Sequence, residues 1–232
     1  MYSILYDGGY VYFELTIWDA DTDEARESLS RIDVNTGEVE FLCVLPEYSS
    51  FLIRGNVMFH LEDSKTIYTT DLYNNNKVNI FEAPKLLGFV YFSDDGSFII
   101  YQNVESLEND DLASKYYKLD IQKGETIKLF ETPPKMNLYS PLIMGEYLYY
   151  TFWSPNVPDA SGRGINIYSN QVYRAKLDGS GETELIYEET DEDINIIWLN
   201  TVGKYLVANT QNALEKLVFD TETGEVIRKP GE

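Results

Sequence analysis

The amino-acid sequence predicts an all-β fold: a β-propeller built of four-stranded antiparallel blades, with five blades in this chain. Three observations support this prediction. A strand–turn–strand segment recurs five times, and two further apolar runs with strand-like alternation precede each copy. The composition agrees, because 14% of the 232 residues are aromatic, including 19 Tyr and 11 Phe, and aromatic residues favour strands.

The recurring segment ends a strand with Asp, and in four of the copies a Gly follows within the turn. The copies are SRIDVNTGEVEFL (30–42), IYTTDLYNNNKVNIF (67–81), YKLDIQKGETIKLF (117–130), YRAKLDGSGETELIY (173–187) and LVFDTETGEVIR (217–228). An Asp side chain can bond the backbone of a tight turn, and Gly adopts the left-handed conformation at no steric cost. We therefore predict that the recurring Asp of each repeat shapes a turn and binds no ligand. These residues are Asp33, Asp71, Asp120, Asp178 and Asp220.

With its two preceding strands, each copy completes a four-stranded unit. Such units stack by their apolar faces, and a ring buries the faces at both ends of the stack. The predicted blades of this single domain are approximately 1–46, 47–84, 85–134, 135–190 and 191–232. Every blade is complete in chain order, so no blade mixes strands from the two termini. Two possibilities follow: a five-bladed ring that closes by packing alone, or a segment of a larger propeller.

Two stretches resemble known propeller repeats. DGSFIIYQN (95–103) followed by YYKLDIQKGE (116–125) resembles the TolB-like repeat, and VYRAKLDGSGETELIY (172–187) is similar to the repeat of the bacterial DUF5050 propellers. The resemblance extends over essentially the whole chain. It implies a bacterial interaction or ligand-binding platform of the kind often attached to the cell envelope, and it carries over no catalytic residues.

Charge and residue counts exclude several classes of function. The 39 acidic and 18 basic residues give a net charge of −21, without the Lys/Arg clusters that nucleic acids or anionic membranes require. One Cys and one His exclude an intrachain disulfide and a Cys- or His-based metal centre. No cofactor is predicted, and we expect a monomer or weak dimer. MYSILYDGG is no signal peptide and no apolar run spans a membrane, so an extracellular or envelope location rests on the resemblance alone.

Three insertions fall at the same place in the repeat. The spacing from the upstream turn Gly to the Asp is 16 residues from Gly55 to Asp71, but 33 from Gly145 to Asp178. The extra residues lie between the second and third strands, at 18–29, 103–114 and 153–170. In a propeller this connection lies on one face of the ring, so we predict that the insertions form a binding face.

Two of these insertions open with Trp, at Trp18 and Trp153. An exposed Trp could stack on a sugar or anchor a peptide, or it could simply cover the rim of its blade. The alternating acids after Trp18 do not make a complete calcium loop, because Glu24 and Ser30 occupy the places where an EF-hand needs Gly and Glu. We therefore predict a solvated acidic loop and no metal. The binding candidates are Trp18, Asp19, Asp21, Asp23, Trp153, Asp159 and Arg163.

The function that these patterns favour is a non-enzymatic module that binds a protein or a small polar or carbohydrate ligand on the insertion-bearing face. The alternative is a carbohydrate-active, glycoside hydrolase-like propeller. It would need carboxylates near the axis, whereas the innermost runs YSILY, FLIR, FVYF, PLIM and INIIWL contain none. His60 lies mid-strand and is predicted to be an ordinary strand histidine. A third possibility is a sensor-domain fragment that needs further blades or a partner.

Overall fold

The structure is a computed structural model that describes residues 4–19, 24–45, 51–54, 56–62, 65–74, 76–83, 87–93, 95–103, 113–158, 164–189, 195–210 and 216–228. In these ranges the regular secondary structure consists of β-strands. The strands are β1 Ile4–Asp7, β2 Tyr10–Asp19, β3 Glu24–Asp33, β4 Val39–Val44, β5 Phe51–Arg54, β6 Val57–Glu62, β7 Thr66–Asp71, β8 Lys77–Glu82, β9 Leu87–Phe92, β10 Phe98–Asn103, β11 Lys115–Asp120, β12 Glu125–Glu131, β13 Asn137–Met144, β14 Tyr147–Pro158, β15 Gly164–Tyr168, β16 Gln171–Lys176, β17 Thr183–Glu188, β18 Ile196–Val202, β19 Tyr205–Thr210, β20 Lys216–Asp220 and β21 Val226–Arg228.

Each sequence repeat forms one sheet. The strand orders are β1-β2-β3-β4, β5-β6-β7-β8, β9-β10-β11-β12, β13-β14-β16-β17 and β18-β19-β20-β21, and β15 adds a fifth strand to the fourth sheet by pairing with β14. Within each sheet the strands follow one another in chain order, except that β15 and β16 both pair with β14, and the pairs are antiparallel. The prediction of an all-β propeller with five four-stranded blades is confirmed at the level of fold class.

Backbone contacts group the chain into two compact units. Unit one comprises residues 1–101 and 119–125, and unit two comprises residues 102–118 and 126–232. The first two sheets lie in unit one, and the fourth and fifth lie in unit two.

The predicted turn-forming role of the recurring Asp is confirmed. In the first repeat Asp33 Oδ1 accepts hydrogen bonds from the backbone N–H of Asn35 and Thr36, at 2.7 and 3.2 Å. The N–H of Gly37 donates to the Asp33 carbonyl at 2.8 Å, and Gly37 has φ +74°. Each of the other four Asp residues also accepts from the backbone N–H two residues further on; the donors are Tyr73, Gln122, Ser180 and Glu222.

The core of unit one joins its first two sheets. Tyr12 and Leu29 come from the first sheet, and Ile53 and Met58 from the second, and all four are buried in one cluster. Tyr12 lies on β2 and Leu29 on β3, so the cluster is built on the middle strands of the first sheet. Burial of such side chains contributes about 1.5–3 kcal/mol each to the stability of the fold.

The core of unit two contains a stack of four aromatic rings. Tyr116 stacks on Phe130 with 5.2 Å between ring centroids, Phe130 on Tyr150 at 5.0 Å, and Tyr150 on Tyr173 at 5.8 Å. The interplanar angles are 16°, 7° and 13°, so the rings are nearly parallel. Because β11 and β12 supply two rings and β14 and β16 the other two, the stack fastens the third sheet to the fourth. A second cluster, around Leu206, fastens the fourth sheet to the fifth.

Replacing Phe130 should reveal how much the ring stack stabilises the protein. We expect Phe130→Ala to lower the free energy of unfolding by about 3–5 kcal/mol, because it removes a buried ring and leaves a cavity. Phe130→Leu keeps most of the apolar volume and should cost about 1–2 kcal/mol. Urea denaturation followed by circular dichroism measures both values. A Phe130→Leu variant as stable as the wild type would show that ring stacking adds nothing beyond apolar volume.

The left-handed conformation of Gly37 leads to a second prediction. A Cβ at Gly37 meets no atom within 4 Å, so Gly37→Ala introduces backbone strain without a clash. We expect a loss of about 1–2 kcal/mol in unfolding free energy. Gly37→Asn is the matched control, because Asn tolerates this conformation and should recover most of the loss in the same denaturation experiment. Equal stability of the Ala variant and the wild type would refute the requirement for a left-handed residue.

Candidate functional site

The first insertion extends a hairpin. β2 and β3 remain paired over ten residues each, from Tyr10↔Asp33 to Asp19↔Glu24. The expectation of an inserted loop over 18–29 is therefore wrong at 18–19 and 24–29, because strand pairing satisfies the backbone N–H and C=O groups of these residues. Trp18 pairs with Ala25 near the tip of this hairpin, and 61% of its surface is exposed. Trp18 thus does not cover the rim of a blade.

Several candidates fall outside the described part of the chain. Asp21, Asp23, Asp159 and Arg163 belong to this group, as do residues 104–112 of the second insertion. The backbone of Asp19 ends β2. The binding roles predicted for Asp19, Asp21, Asp23, Asp159 and Arg163 stay predictions. Among the described residues, no group of three or more His, Cys, Asp or Glu side chains is placed to hold a metal ion. In the same residues no helix is long and apolar enough to cross a membrane.

The third insertion, in the fourth repeat, also forms strand. β14 continues to Pro158 and pairs with β15, so most of the segment predicted as a loop is a second hairpin. Trp153 lies opposite Asn137 on β13 and opposite Tyr168 on β15. Directly paired residues project to the same face of a sheet, so these three side chains share one face.

An aromatic cluster forms on this face of the fourth sheet. Tyr139 is two residues along β13 from Asn137, and its ring centroid lies 6.4 Å from that of Trp153 and 4.9 Å from that of Tyr168. The fifth sheet contributes Trp198 of β18, whose ring lies 5.5 Å from Tyr139 and whose surface is 40% exposed. Tyr139 thus links the two rings on the β14–β15 hairpin to a ring of the next sheet. We call Tyr139, Trp153, Tyr168 and Trp198 the aromatic cluster.

A pocket of about 380 Å³ opens beside the aromatic cluster, within unit two. This volume lies in the range of about 300–1,000 Å³ that is typical of small-molecule sites. Its walls combine aromatic and aliphatic side chains with hydroxyls and amides. The lining residues are Met136, Phe152, Trp153, Ser154, Ile167, Tyr168, Ser169, Asn170, Gln171 and Asn195.

Backbone and side-chain hydrogen bonds hold the wall of the pocket between β15 and β16. The N–H of Ser169 donates to the carbonyl of Phe152 at 2.9 Å, and the Ser169 carbonyl accepts from the N–H of Ile196 at 3.0 Å. Asn170 Nδ2 donates to the carbonyl of Glu189 at 2.6 Å. The short link between β15 and β16 is thus bonded to β14 on one side and to the start of the fifth sheet on another. A wall bonded to three elements is held in place without a ligand.

Strained backbone accompanies the aromatic cluster at Ser140. This residue has φ +48°, and the β13–β14 register shifts between Tyr139 and Leu142. A left-handed conformation at a residue other than Gly costs on the order of 1–3 kcal/mol and is concentrated at functional sites. Ser140 Oγ accepts a hydrogen bond from the N–H of Leu199 at 2.7 Å. Leu199 follows Trp198, so this bond fixes the β18 backbone beside the aromatic cluster.

The chemistry available in the pocket is recognition by neutral groups. The described lining residues include no Asp, Glu, His, Lys, Arg or Cys, and Tyr168 is the one ionisable side chain among them. These ten residues supply neither the carboxylate pair nor the base that acid–base or nucleophilic catalysis uses. Burial raises the pKa of neighbouring Tyr139, and the Tyr168 hydroxyl adds to the shift. The Tyr139 phenol is therefore a neutral hydrogen-bonding group near neutral pH.

Of the predicted site residues, the structure places Trp153 in the pocket. Sequence reasoning missed the three partners of Trp153 in the aromatic cluster. Tyr168 lies inside the insertion predicted at 153–170, so the strand-like alternation of INIY (165–168) could have identified it. Tyr139 and Trp198 lie on the first strands of two different repeats, and their contact depends on the packing of one sheet on the next.

Comparisons with known proteins show the fold and no family. No family model and no curated protein matches the chain. It is similar in structure to Pyrococcus horikoshii acylaminoacyl peptidase, with a TM-score of 0.62 and 15% identity over 99% of this chain and 38% of the peptidase. It is also similar to the β-propeller domain of the Pyrococcus furiosus Trilobed protease, described as having an open velcro topology; the TM-score is 0.56 and the identity 14%, over 98% of this chain and 70% of that one.

A third similar structure comes from a nidogen/laminin complex, with a TM-score of 0.53 and 10% identity over 97% of this chain and 76% of that chain. The chain has a β-propeller fold. At these identities the likeness reaches no further than the fold, and the chain spans little more than a third of the peptidase it matches. The resemblance to TolB-like and DUF5050 repeats therefore stays a prediction.

His60 is the remaining candidate for acid–base chemistry, and it is placed as an ordinary strand histidine. It lies buried on β6, its Nε2 is 2.9 Å from Thr70 Oγ1, and its ring stacks on Tyr68 at 5.8 Å. Burial lowers the pKa of His60, nearby Lys77 lowers it further, and Glu62 opposes the shift. The imidazole is thus held in its neutral form inside the second sheet.

This environment predicts a loss of stability in mild acid. The folded-state pKa of His60 is below its unfolded value of about 6.5, so the unfolded chain takes up a proton first as the pH falls. The contribution of neutral His60 to the stability of the fold is fully present above about pH 6.5 and declines as the pH falls below this value. We expect the difference in unfolding free energy between the wild type and His60→Gln to shrink from pH 8 to pH 5 in urea denaturation. A difference that does not change with pH would refute the assignment of a neutral, buried His60.

Proposed function

We propose that the chain is a non-enzymatic binding module and that its site is the pocket beside the aromatic cluster. The observation that carries this proposal is the composition of the pocket. Exposed aromatic surface and neutral hydrogen-bonding groups converge there, and the described lining has no acidic or basic side chain. Pockets of this kind bind through apolar contact and gain specificity from a few fixed polar groups.

The position of the pocket supports a binding role. It lies where the β14–β15 hairpin, the link after β15 and the segment before β18 meet, which is the insertion-bearing end of the fourth sheet. In propellers such connecting segments carry function, because the sheets beneath them are rigid. The hairpin itself is stiffened by pairing, so Trp153 stands on a strand and has a defined orientation.

Two other functions have less support. A glycoside hydrolase needs two carboxyl groups about 5–10 Å apart, and the described pocket lining supplies none. A protein-binding role agrees with the likeness to a chain of the nidogen/laminin complex, but that likeness extends only to the fold. We therefore favour a small or extended polar ligand that enters the pocket.

Ligand-detected NMR tests this proposal while the identity of the ligand is still open. Saturation-transfer difference spectra of a library of neutral, anionic and cationic fragments should show hits with the wild type. We expect these hits to be lost or weakened at least about tenfold with Trp153→Ala, because the ring forms part of the wall. Mass spectrometry after prolonged incubation should find every hit chemically unchanged.

Phe41→Ala is the control, since it removes an exposed aromatic side chain from β4 in unit one. Hits retained in this variant and lost in Trp153→Ala support the site. Hits that persist in Trp153→Ala place binding elsewhere and overturn the assignment. Conversion of a hit into product overturns the non-enzymatic part of the proposal.

A further inference from the structure

We infer that the ligand of this pocket is a neutral saccharide, bound with one sugar ring against Trp153 and Tyr168. This inference rests on the proposed binding function and names its ligand class. Three features of unit two support it: the ring surfaces, the neutral polar groups around them, and the exclusion of main-chain peptide binding at Trp153.

The ring surfaces suit a sugar. Trp153 and Tyr168 are paired across β14 and β15, both are partly exposed, and both line the pocket. Their shared contact with Tyr139 supports them from within the cluster. A pyranose presents a face of C–H groups that packs on such rings, while its hydroxyls point outward. Large aromatic side chains give this contact at low entropic cost, because each has two side-chain torsions.

The polar groups suit hydroxyls. Ser154 Oγ donates to the carbonyl of Lys135 at 3.0 Å, so its oxygen lone pairs can accept. Ser169 Oγ accepts from the N–H of Gln171 at 3.0 Å, so its own O–H can donate. The Asn170 side-chain amide carries two N–H groups, one of which donates to the carbonyl of Glu189, so the other can donate to a ligand. A sugar hydroxyl is both donor and acceptor, and this mixture of neutral donors and acceptors matches it.

Charge argues for a neutral sugar. The chain carries a net charge of −21, and none of the ten lining residues is Lys or Arg. An anionic ligand such as a uronate would lose hydration without gaining a cationic partner from these ten residues, and the field of the acidic chain would repel it. A cationic ligand would find no carboxylate among these ten residues, although the field would attract it weakly.

A peptide is disfavoured by the pairing of β14. At Trp153 this strand is paired with Asn137 of β13 on one side and with Tyr168 of β15 on the other. Both backbone edges are thus occupied, and a peptide cannot add as a further strand there. Recognition must pass through side chains, which suits a ligand that presents many hydroxyls.

Isothermal titration calorimetry with defined trimers tests the inference. The probes are cellotriose, maltotriose and triacetylchitotriose as neutral saccharides, trigalacturonic acid as the anionic one, chitosan trimer as the cationic one, and capped trialanine as a neutral peptide. We expect at least one neutral saccharide to bind with a dissociation constant below about 1 mM. Trigalacturonic acid and capped trialanine should each bind at least about tenfold more weakly.

Variants then locate the binding. Trp153→Ala should weaken the affinity for the saccharide at least about tenfold, and Trp153→Phe should keep part of that affinity. Phe41→Ala, which removes an exposed aromatic side chain from β4, should leave the affinity unchanged. Because Trp153→Phe preserves an aromatic side chain, it keeps the test informative if the Ala variant unfolds. Equal saccharide affinity in the wild type and in a folded Trp153 variant overturns the assigned ring contact.

The outcomes separate the two proposals. Binding of capped trialanine or a charged fragment that depends on Trp153, with no saccharide binding, overturns the saccharide and leaves the binding module standing. Saccharide binding followed by cleavage, detected by mass spectrometry, supports the ligand class and overturns the non-enzymatic function. Absence of binding by every trimer overturns the saccharide inference.

Discussion

The stacking of aromatic rings between the third and fourth sheets sets the register on which the rest of unit two depends. Tyr150 of β14 stacks between Phe130 and Tyr173, and Phe152 packs beside it on the same face of the strand. Successive residues of a strand project to opposite faces, and a slip of one residue exchanges the two faces. Burying Tyr150 against Phe130 on one face therefore directs Trp153, three residues further along β14, to the other face. The ring stack on one face thus determines the aromatic cluster on the other.

Two arginines occupy equivalent positions in the first and fourth repeats. Arg31 pairs across the first sheet with Tyr12 and Glu40, and its guanidinium lies 4.2 Å from the centre of the Tyr10 ring. The fourth sheet repeats this arrangement, with Arg174 paired with Tyr149 and Glu184 and lying 4.4 Å from the centre of the Tyr147 ring. These guanidinium groups are engaged inside their own sheets by cation–π and charge-assisted contacts. They stabilise the middle strands of these two sheets.

Local patterns are enough to predict the blades and their turns, because the Asp–Gly turns and alternating runs act within a few residues. They are not enough to predict the structure of the third insertion, at 153–170. Two prolines in WSPNVP (153–158) argue against strand, yet β14 accommodates the segment through a register shift between Ser154 and Val157. The partners of Trp153 cannot be predicted from local sequence patterns for another reason. Tyr139 and Trp198 are 59 residues apart in the chain, and their contact arises only when one sheet packs on the next.

Ser140 connects this packing to the proposed binding site. Its left-handed backbone is unfavourable by itself, and it places an extra residue in β13 directly after Tyr139. The hydrogen bond from the Leu199 N–H to Ser140 Oγ offsets part of that cost and ties the fourth sheet to the fifth. Because Tyr139 precedes this bonded pair on one strand and Trp198 precedes it on the other, the aromatic cluster is oriented before any ligand arrives. A ligand that meets preoriented rings does not lose binding energy in ordering them, so even a small, uncharged ligand can bind measurably.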